Sequence, residues 1–543
     1  MRSTRIRCLQ IALAVGLPAS AGLAQCDETS FRAADGASHD GFGLAVALSG
    51  DTALVGAPGD DDAGSSSGAA YVFEWSGSEW IEQKKLAPGG LGLGDRFGAA
   101  VSLDAQTALV GAWGDDDAGI DSGAAYVFER TPSGWALVQK LVGRGGAAGD
   151  RFGAAVSVAG DVAVVGAFGD DDEAGAAHVF ERTPSGWAQT AVLVASDRAS
   201  FDRFGASLSA FGEAVLVGAR FHSLGGAAYF FERRPSGWIE AQKLVASDAE
   251  VFDEFGAAVA LASGRALIGA PRDSGVASLM GSAYVFERGP SAWVETAELS
   301  PCGGAADDRF GSSVALAGDL ALVGAPFDDA PRLNSGSAWV FEQAGSGWVE
   351  KGNLVAVPGL EHDRLGCAVS ISGDRALAGA DGVDRGGATD SGGCSVFTVP
   401  GGHACNYCVS LPNSIFASGA RILAAGSLSV ADNEFELVVE RAVPGQIGLF
   451  CYGPERGQTP FGDGFLCIGG GDIGLFRLFP PRRADDSGRL ARTLDLTAPP
   501  AGSGDGRITA GSSWNFQLWY RDPLGVGGSG FNLSDGLAVT FCP

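Results

Sequence analysis

Short runs in which apolar and polar residues alternate occur along most of this chain, and clusters of glycine, aspartate, serine and proline separate them. Alternation over roughly four to eight residues is typical of half-buried β-strands, and few stretches show the period of a helix. In the first clear unit, a tight turn over residues 49–51 joins the first two runs, which favours an antiparallel meander. The four strands predicted for this unit are Phe42–Leu48, Thr52–Ala57, Ala69–Trp75 and Trp80–Ala87.

This unit recurs along the chain. A Phe-Gly dipeptide returns every 51 to 55 residues, and a Gly-Ala dipeptide that follows an apolar triplet returns at the same intervals. Two markers that return at the same intervals indicate an internal repeat. A single meander cannot bury both of its faces, so the repeats are predicted to pack radially as the blades of a β-propeller. The first residues of the Phe-Gly marker are Phe42, Phe97, Phe152, Phe204, Phe255 and Phe310, and Leu365-Gly366 is a seventh, degenerate copy.

The seventh repeat ends near Val399 without the fourth strand that the other six contain. The segment Ser30–Asp35, ahead of the first repeat, aligns with Lys243–Asp248, ahead of the fifth. The N-terminal segment is therefore expected to complete the seventh sheet and close the ring. The chain is predicted to be all-β, with a seven-bladed propeller of four-stranded antiparallel blades over residues 28–400.

Both ends of the chain lie outside the repeat. Arginines followed by the apolar run Ile11–Leu17 and by small residues up to Ala24 are typical of a signal peptide. Residues 1–24 are therefore predicted to be removed, and the protein to be secreted or held at the cell surface, with no transmembrane segment. Residues 405–543 are predicted to form a small β-sandwich-like domain. Its predicted strands include Ile422–Val430, Phe435–Val439, Gly448–Tyr452, Trp514–Tyr520 and Leu537–Phe541.

The charge of the chain narrows the choice of partner. Its 64 acidic residues outnumber 37 Lys and Arg, for a net charge of −27. Such a chain repels the phosphate backbone of nucleic acids and anionic lipid surfaces at short range. Cations, basic groups and neutral glycans fit better, although the acidity can also serve only to keep an extracellular protein soluble.

The repeat markers resemble those of the FG-GAP family, known from the head of integrin α subunits and from exported bacterial proteins. Examples are Phe42-Gly43 followed by Val55–Pro58, and Phe310-Gly311 followed by Val323–Pro326. The resemblance implies a propeller used for extracellular binding and cell adhesion, often with bound calcium. Separately, the segment Trp514–Asp522 is similar to a C-terminal module of exported planctomycete-type bacterial proteins, which implies no activity.

Clustered aspartates in the loops between the second and third strands make calcium the candidate ion, because calcium prefers six to eight oxygen ligands. Integrin-type calcium loops lie between the first and second strands, where this chain has only a tight turn. The family's calcium sites therefore cannot be transferred, and metal binding rests on chemistry alone. The alternative is that the aspartates are solvated turn formers. The candidate metal ligands are Asp60, Asp61, Asp62, Asp115, Asp116, Asp117, Asp170, Asp171 and Asp172.

One further aspartate occurs in every repeat, two residues before the Phe of the marker or its replacement. Its regularity favours a structural role, in which the carboxylate accepts backbone N–H bonds in the loop that leads into the innermost strand. Arginines lie beside five of these aspartates and are expected to neutralise them in part. The aspartates are Asp40, Asp95, Asp150, Asp202, Asp253, Asp308 and Asp363, and the arginines are Arg96, Arg151, Arg203, Arg309 and Arg364.

Two other residue types recur or accumulate. A tryptophan once per repeat is expected to pack between neighbouring blades near their outer edge rather than to stack on sugars. Cysteines of an exported chain are expected to form disulfides, with one left unpaired because their number is odd. The tryptophans are Trp80, Trp135, Trp187, Trp238, Trp293 and Trp348, and the cysteines after the signal peptide are Cys26, Cys302, Cys367, Cys394, Cys405, Cys408, Cys451, Cys467 and Cys542.

The sequence favours a non-enzymatic binding or adhesion protein. Its five histidines are scattered over non-equivalent positions, and no nucleophile or phosphate-loop motif is present. One face of the propeller is expected to recognise an extracellular protein, glycan or cation. The alternatives are a structural component that assembles with copies of itself at the cell surface, and a propeller lyase or hydrolase acting on polysaccharides through a carboxylate pair.

Overall fold

A computed structural model describes residues 28–541, apart from 275–277, 302–303, 330–331, 345–346, 357–358, 385–387, 400–402, 407–412, 417–418, 426–429, 431–432, 434, 472–473, 510–511, 526–527 and 535. The predicted signal peptide lies outside the described residues. The chain divides into two compact units, one formed by Glu28–Val349 and Leu354–Phe397 and one that contains Thr398–Pro543.

Seven separate four-stranded antiparallel sheets make up the first unit, and this confirms the predicted seven-bladed propeller. Within each of the first six sheets, strands that follow each other in sequence are neighbours. Blades 1 to 3 consist of Ala45–Ser49, Thr52–Ala57, Ala69–Trp75 and Trp80–Leu86; Ala100–Asp104, Thr107–Ala112, Ala124–Thr131 and Gly134–Leu141; and Phe152–Ala159, Val162–Ala167, Ala176–Thr183 and Gly186–Leu193. Blades 4 to 6 consist of Ser207–Phe211, Ala214–Ala219, Ala227–Arg234 and Gly237–Leu244; Ala258–Ala262, Arg265–Ala270, Ser282–Arg288 and Trp293–Leu299; and Ser313–Ala317, Leu320–Ala325, Ser337–Ala344 and Gly347–Leu354.

Blade 7 is built from both ends of the repeat region. Its first three strands are Val369–Ser372, Arg375–Ala380 and Gly393–Thr398, and its fourth strand is Glu28–Phe31. The N-terminal strand pairs antiparallel with Gly393–Thr398, so that Phe31 lies opposite Cys394. The first and last segments of the propeller therefore share one sheet, and the N-terminal segment completes the seventh blade as predicted.

The first strand of blade 1 begins at Ala45, three residues later than predicted. Gly43 has a left-handed backbone, with φ of 97°, which interrupts the extended conformation between Phe42 and the strand. Phe42 instead forms a parallel bridge with Gly392 of blade 7. In blade 1 the Phe-Gly marker therefore belongs to the contact between blades, whereas in blade 3 the first strand includes it.

A glycine–glycine contact between consecutive blades explains why the two sequence markers keep the same spacing. The glycine of each Gly-Ala marker lies so close to the glycine of the next blade's Phe-Gly marker that a Cβ atom would approach its carbonyl oxygen to less than 3.0 Å. Any side chain there would force the blades apart. The seven pairs are Gly56 with Gly98, Gly111 with Gly153, Gly166 with Gly205, Gly218 with Gly256, Gly269 with Gly311, Gly324 with Gly366, and Gly379 with Gly43.

The aromatic residues of the repeats form the cores between blades. The Phe of the marker is buried and meets an aromatic ring of its own third strand edge to face, as in Phe97 and Tyr126, whose centroids lie 5.3 Å apart. The recurring tryptophan packs on the preceding blade, as predicted, and Trp293 lies 4.8 Å from Phe230 between ring centroids. Each blade is thus fixed to its neighbour by an inner glycine contact and by aromatic packing.

The second unit is also built of sheets. One sheet contains His403–Asn406, Leu537–Thr540, Ser513–Arg521, Ile447–Gly453 and Phe476–Arg483 in this spatial order, and Phe531–Leu533 pairs with its central strand. A three-stranded sheet contains Arg421–Ala425, Glu436–Glu440 and Leu490–Thr493, and a hairpin contains Glu455–Phe461 and Gly464–Gly469. Residues of both larger sheets, such as Phe435 and Phe516, share one buried core.

Helical segments are short in the described part of the chain: Asp170–Glu173, His222–Leu224 and Gly504–Gly506. Among these residues, no helix has the length and apolar character needed to cross a bilayer.

Three cysteines are free, which contradicts the expectation that only one would lack a partner. Cys394 serves as a small apolar residue in the core between blades 7 and 1, and the Cys367 thiol donates to the Gly43 carbonyl. Cys451 is the third free thiol. Cys467 is disulfide-bonded. The remaining pairings stay a prediction, because Cys26, Cys302, Cys408 and Cys542 lie outside the described residues and the side chain of Cys405 is not described.

Candidate binding face

One face of the propeller carries all of the candidate ligands. In a meander, the loop between the second and third strands and the loop that leads to the next blade emerge on the same side; we call these the middle loop and the connector loop. The two are hydrogen-bonded across blades, for example by the Arg96 and Phe97 amides, which donate to the Ser66 and Ser67 carbonyls at 3.0 Å. The face is therefore a closed circle of paired loops.

The first aspartate triplet surrounds a lysine. The Lys85 ammonium, at the end of the fourth strand of blade 1, lies 2.6 Å from Asp60, 2.6 Å from Asp62 and 2.9 Å from Asp35. The Tyr71 hydroxyl lies 2.9 Å from carboxylate oxygens of both Asp35 and Asp60. Asp60 is buried, whereas the side chain of Asp62 is 73% exposed. The triplet and its neighbours thus form a network around an internal cation.

The second triplet repeats this arrangement. The Lys140 ammonium lies 2.6 Å from the buried Asp115 and 2.7 Å from the exposed Asp117. The Tyr126 hydroxyl donates to Asp115 at 2.9 Å. Burial alone would lower the pKa of Lys140, but its hydrogen bonds to the two carboxylates outweigh burial and raise that pKa. The lysine therefore remains charged at neutral pH.

The middle aspartate of these triplets closes the loop itself. The Asp61 carboxylate accepts the Ser66 amide at 2.6 Å, and the Asp116 carboxylate accepts the Asp121 amide at 2.8 Å. Each bond spans five residues and holds the middle loop in a compact turn. The alternative interpretation of the triplets, as turn-forming aspartates, describes these two residues.

The third triplet differs because blade 3 has Val192 where blades 1 and 2 have the lysine. Asp171 forms an ion pair with Arg198 of the following connector loop. Asp171 and Asp172 have left-handed backbones, so the turn does not present its carboxylates as the first two triplets do. In the described part of the chain, only Asp35, Asp60 and Asp62 bring three carboxylate oxygens close enough together to share an ion.

Calcium, which the family resemblance implies, does not fit the first two triplets in this conformation. The space between the carboxylates of Asp60 and Asp62 holds the Lys85 ammonium, and that between Asp115 and Asp117 holds Lys140. A divalent ion there would face a positive charge at hydrogen-bond distance from its own ligands. The lysines were missed in the sequence, although Lys followed by Leu at the end of the fourth strand recurs in blades 1, 2 and 4.

The connector aspartates bind backbone amides. In each repeat the carboxylate accepts the N–H of the residue three positions earlier, at 2.5 to 2.7 Å, as Asp308 does from Ala305. Burial is the main cause that raises the pKa of Asp308 to about 7 and that of Asp253 to about 6, against the opposing backbone bond. These aspartates shape the loops and are hidden from a ligand.

Replacing Asp308 with asparagine should stabilise the protein at high pH. The folded chain binds the Asp308 proton more tightly than the unfolded chain does, so this group adds stability as the pH falls from about 8 toward the unfolded pKa of 3.8. Asparagine can still accept the Ala305 amide and carries no charge. We expect D308N to raise the melting midpoint by roughly 2 °C at pH 8 and by nothing at pH 4.

The control for this prediction is D374N, which removes an exposed aspartate from the turn between the first and second strands of blade 7. Melting curves of the wild type, D308N and D374N are compared from pH 4 to pH 8. A D308N midpoint that follows the wild type at every pH would contradict the tighter proton binding of Asp308.

Four of the five connector arginines stack on aromatic rings, and the fifth, Arg364, pairs with Asp381 at 3.1 Å. The Arg151 guanidinium lies 5.8 Å from the Trp113 ring centroid and 5.2 Å from that of Phe168. Arg203 lies 5.7 Å from Phe168 and 5.1 Å from Phe221. Cations and rings therefore alternate across blades 2 to 4. The expected pairing with the adjacent aspartates is not seen among the described ion pairs, and those carboxylates accept backbone N–H bonds instead.

An apolar patch lies beside this stack, around blade 4. Phe201 and Phe252 occupy the connector-loop position three residues before the Phe of the marker, and their side chains are 65% and 63% exposed. Both backbones are left-handed, with φ of 71° and 75°. Repeats 2 and 3 have glycine at this position, which adopts that conformation without strain, and repeats 1, 6 and 7 have His39, Asp307 and His362 there in the same conformation.

Phe221 lies between the two loops that carry these residues. Its amide donates to the Asp202 carbonyl at 3.3 Å, next to Phe201, and its side chain is 36% exposed. On the other side of the same middle loop, the Gly225 carbonyl accepts the Phe255 amide at 2.9 Å. Phe255 lies three residues beyond Phe252. We call Phe201, Phe221, Val251 and Phe252 the blade-4 patch; the sequence signal that could have found it is a phenylalanine at a repeat position that is glycine or polar in the other copies.

The geometry defines a propeller of repeats joined by paired glycines, with the candidate residues on one loop face. The family of FG-GAP repeats matches residues 27–73, 80–128, 135–180, 187–231, 238–286, 293–341 and 348–397. These matches cover more than half of the chain, so it belongs to the FG-GAP repeat family. Proteins of this family are generally extracellular or surface-exposed, and the fold is consistent with a binding or adhesion role. The C-terminal resemblance stays a prediction.

Comparison with other known proteins adds little. No curated protein sequence matches the chain. Among solved structures, a chain of a mitotic checkpoint complex is 14% identical, with a TM-score of 0.44, over 72% of this chain and 99% of that one. Provisionally assigned 6-phosphogluconolactonases from Bacteroides uniformis and Bacteroides fragilis are each 12% identical over 58% of this chain, with 85% and 84% of their own lengths and TM-scores of 0.41 and 0.40. These likenesses are too weak to support any functional assignment.

Proposed function

We propose that this protein is an exported, non-enzymatic binding protein whose loop face recognises a basic surface of another extracellular protein. The observation that supports this most directly is the blade-4 patch. Two phenylalanines there are both exposed and held in left-handed backbone, where glycine would be free of strain. Each such residue costs about 1 kcal/mol or more, and strain of this kind is concentrated at functional positions.

The composition of the patch favours a protein partner over a glycan. Phenylalanine and arginine are enriched at the centres of protein interfaces, where they enter pockets and exclude water. Phe201 and Phe252 project from two successive connector loops, with Phe221 between them, so a partner can bury all three in one contact. The patch itself supplies few of the hydrogen-bonding groups that a sugar requires.

Two arginines, Arg203 and Arg220, stack on Phe221, so the preference for a basic partner rests on exposed acidic neighbours and on the net charge of the chain. Asp172, whose carbonyl accepts the Phe201 amide at 3.1 Å, is exposed, and so is Glu250, next to Val251. The chain as a whole carries a net charge of −27, which attracts a basic partner and repels an acidic one. Binding of this kind weakens with increasing salt.

The polar groups of the loop face support a role without catalysis. The buried carboxylates of the first two triplets bind lysines, and the connector aspartates bind amides. Of the histidines, His222 contacts Asp202 at 2.9 Å and Lys243 at 2.6 Å, and burial lowers the pKa of His178 to about 4. These groups are engaged in holding the loops.

Replacing Phe201 and Phe252 by glycine should abolish binding without harming the fold. We expect F201G/F252G to bind a partner at least tenfold more weakly, because two anchors are lost, and to melt at the same temperature or higher, because the left-handed strain is relieved. The mature protein is immobilised and exposed to surface and secreted proteins of the cells that make it, and the affinity of each captured protein is then measured for the wild type and for the double variant.

The control is I239S, which removes an exposed apolar residue from the fourth strand of blade 4, outside the patch. Partner affinity is compared at low and high salt. A captured acidic protein, or equal affinity for the double variant, would overturn the proposal. Loss of concentration-dependent sedimentation in F201G/F252G would instead favour assembly with copies of itself through the same patch.

A further inference from the structure

We infer that Lys85 and Lys140 are built-in cations of blades 1 and 2, which fill the positions between the aspartates that a calcium ion would otherwise take. The protein then folds and works without calcium. This inference concerns the stability of the loops and does not depend on the proposed partner.

The geometry of the first cluster carries the argument. Three carboxylates from two chain segments converge on the Lys85 ammonium at 2.6 to 2.9 Å, which are distances of charge-assisted hydrogen bonds. Asp35 follows the N-terminal strand, Asp60 and Asp62 lie in the middle loop, and Lys85 ends the fourth strand. One ammonium thus connects the segment that closes the ring to blade 1, as a bound metal ion does in other loops.

Blade 4 repeats the arrangement with a lysine, whereas blade 5 has Glu298 at this position, beside the Tyr284 hydroxyl that donates to Asp248 and Asp273. Blade 4 places Lys243 at the same point of the repeat, and there the ammonium lies 2.8 Å from Asp197 and 2.6 Å from His222, which replaces the first aspartate of a triplet. The Tyr229 hydroxyl donates to Asp197 at 2.7 Å, in the place of Tyr71. The lysine and its acidic partner therefore occur together in blades 1, 2 and 4, even where the triplet itself is lost.

Removing one partner leaves the others buried and uncompensated. Asp60 and Asp115 are each 3% exposed, so each relies on the lysine and the tyrosine for its charge to be tolerated. A small residue in the place of the lysine would leave both the acidic ligands and room for a hydrated ion. A cation supplied from solution should then restore part of the lost stability.

The experiment compares the melting midpoint of the wild type, K85S/K140S and the control K84S, each in EDTA and in about 2 mM calcium. Lys84 is the neighbouring residue in the same strand, and its ammonium donates to the Trp135 carbonyl. We expect the wild type and K84S to be insensitive to calcium. K85S/K140S should melt several degrees below K84S in EDTA and should recover part of the difference in calcium.

Three results would overturn the inference. The first is a calcium-dependent rise in the wild-type midpoint that D60N/D115N removes, because the metal would then bind beside the lysines. The second is a K85S/K140S midpoint equal to that of K84S in EDTA. The third is a destabilised K85S/K140S that calcium leaves unchanged, because the ammonium would then not occupy a cation position.

Discussion

Replacing Gly379 by alanine is expected to disrupt the closure of the propeller. Gly379 lies in the second strand of blade 7, and a Cβ atom there would come closer than 3.0 Å to the carbonyl oxygen of Gly43 in blade 1. The obstacle is backbone on both sides, so no side-chain rotation can relieve it. We expect the free energy of unfolding to fall by about 3 kcal/mol or more, which is at the upper end of overpacking effects.

The control is G89A, at a glycine with an ordinary backbone and with no atom within 4 Å of the position that a Cβ atom would take. We expect G89A to melt at or slightly above the wild-type midpoint, because alanine restricts the unfolded chain more than glycine does. Thermal unfolding followed by tryptophan fluorescence makes the comparison. A G379A protein as stable as G89A would mean that the blades can separate locally at no cost. That result would contradict the prediction that the close glycine contact is needed for stability.

The same contact explains why the fold could be predicted from the sequence. Gly56 and Gly98 belong to different repeats, yet a Cβ atom on Gly56 would meet the carbonyl of Gly98 and one on Gly98 would meet that of Ala69, so both positions must stay glycine. A periodic constraint of this kind is visible in one sequence without any structure. The fourth strand of blade 7 was also visible, because Ser30 and Phe31 match Lys243 and Leu244.

The site was predicted less well, because its chemistry depends on partners that lie far apart in the chain. Asp60 and Asp62 belong to one short run of aspartates, which favours a set of metal ligands. Lys85 lies 25 residues from Asp60, and only the fold brings the two together. Likewise, the exposure of Phe201 and its left-handed backbone cannot be read from its apolar character, which by itself indicates a core residue. Sequence patterns thus define the scaffold, whereas charge pairing across loops decides what each acidic side chain does.

Replacing Phe31 by alanine is the second change expected to have a large effect. Phe31 belongs to the fourth strand of blade 7, and its ring centroid lies 4.5 Å from that of Phe73 and 5.7 Å from that of Trp80, both in blade 1. This one side chain therefore connects the last blade to the first. We expect F31A to lower the free energy of unfolding by about 2 to 3 kcal/mol, which is the range for truncating a large core residue that is partly exposed.

The other repeats supply matched controls for Phe31. They have buried leucine at the equivalent position, as in Leu86 and Leu244, so F31L should cost less than about 1.5 kcal/mol. S30A changes the exposed neighbour in the same strand and should be neutral. Hydrogen exchange of Gly393–Thr398, the strand that pairs with Glu28–Phe31, locates the effect. An open ring would expose this strand to solvent. Faster exchange of Gly393–Thr398 in F31A alone would show that closure of the ring depends on the packing of Phe31. Unchanged exchange would show that closure depends on backbone pairing instead.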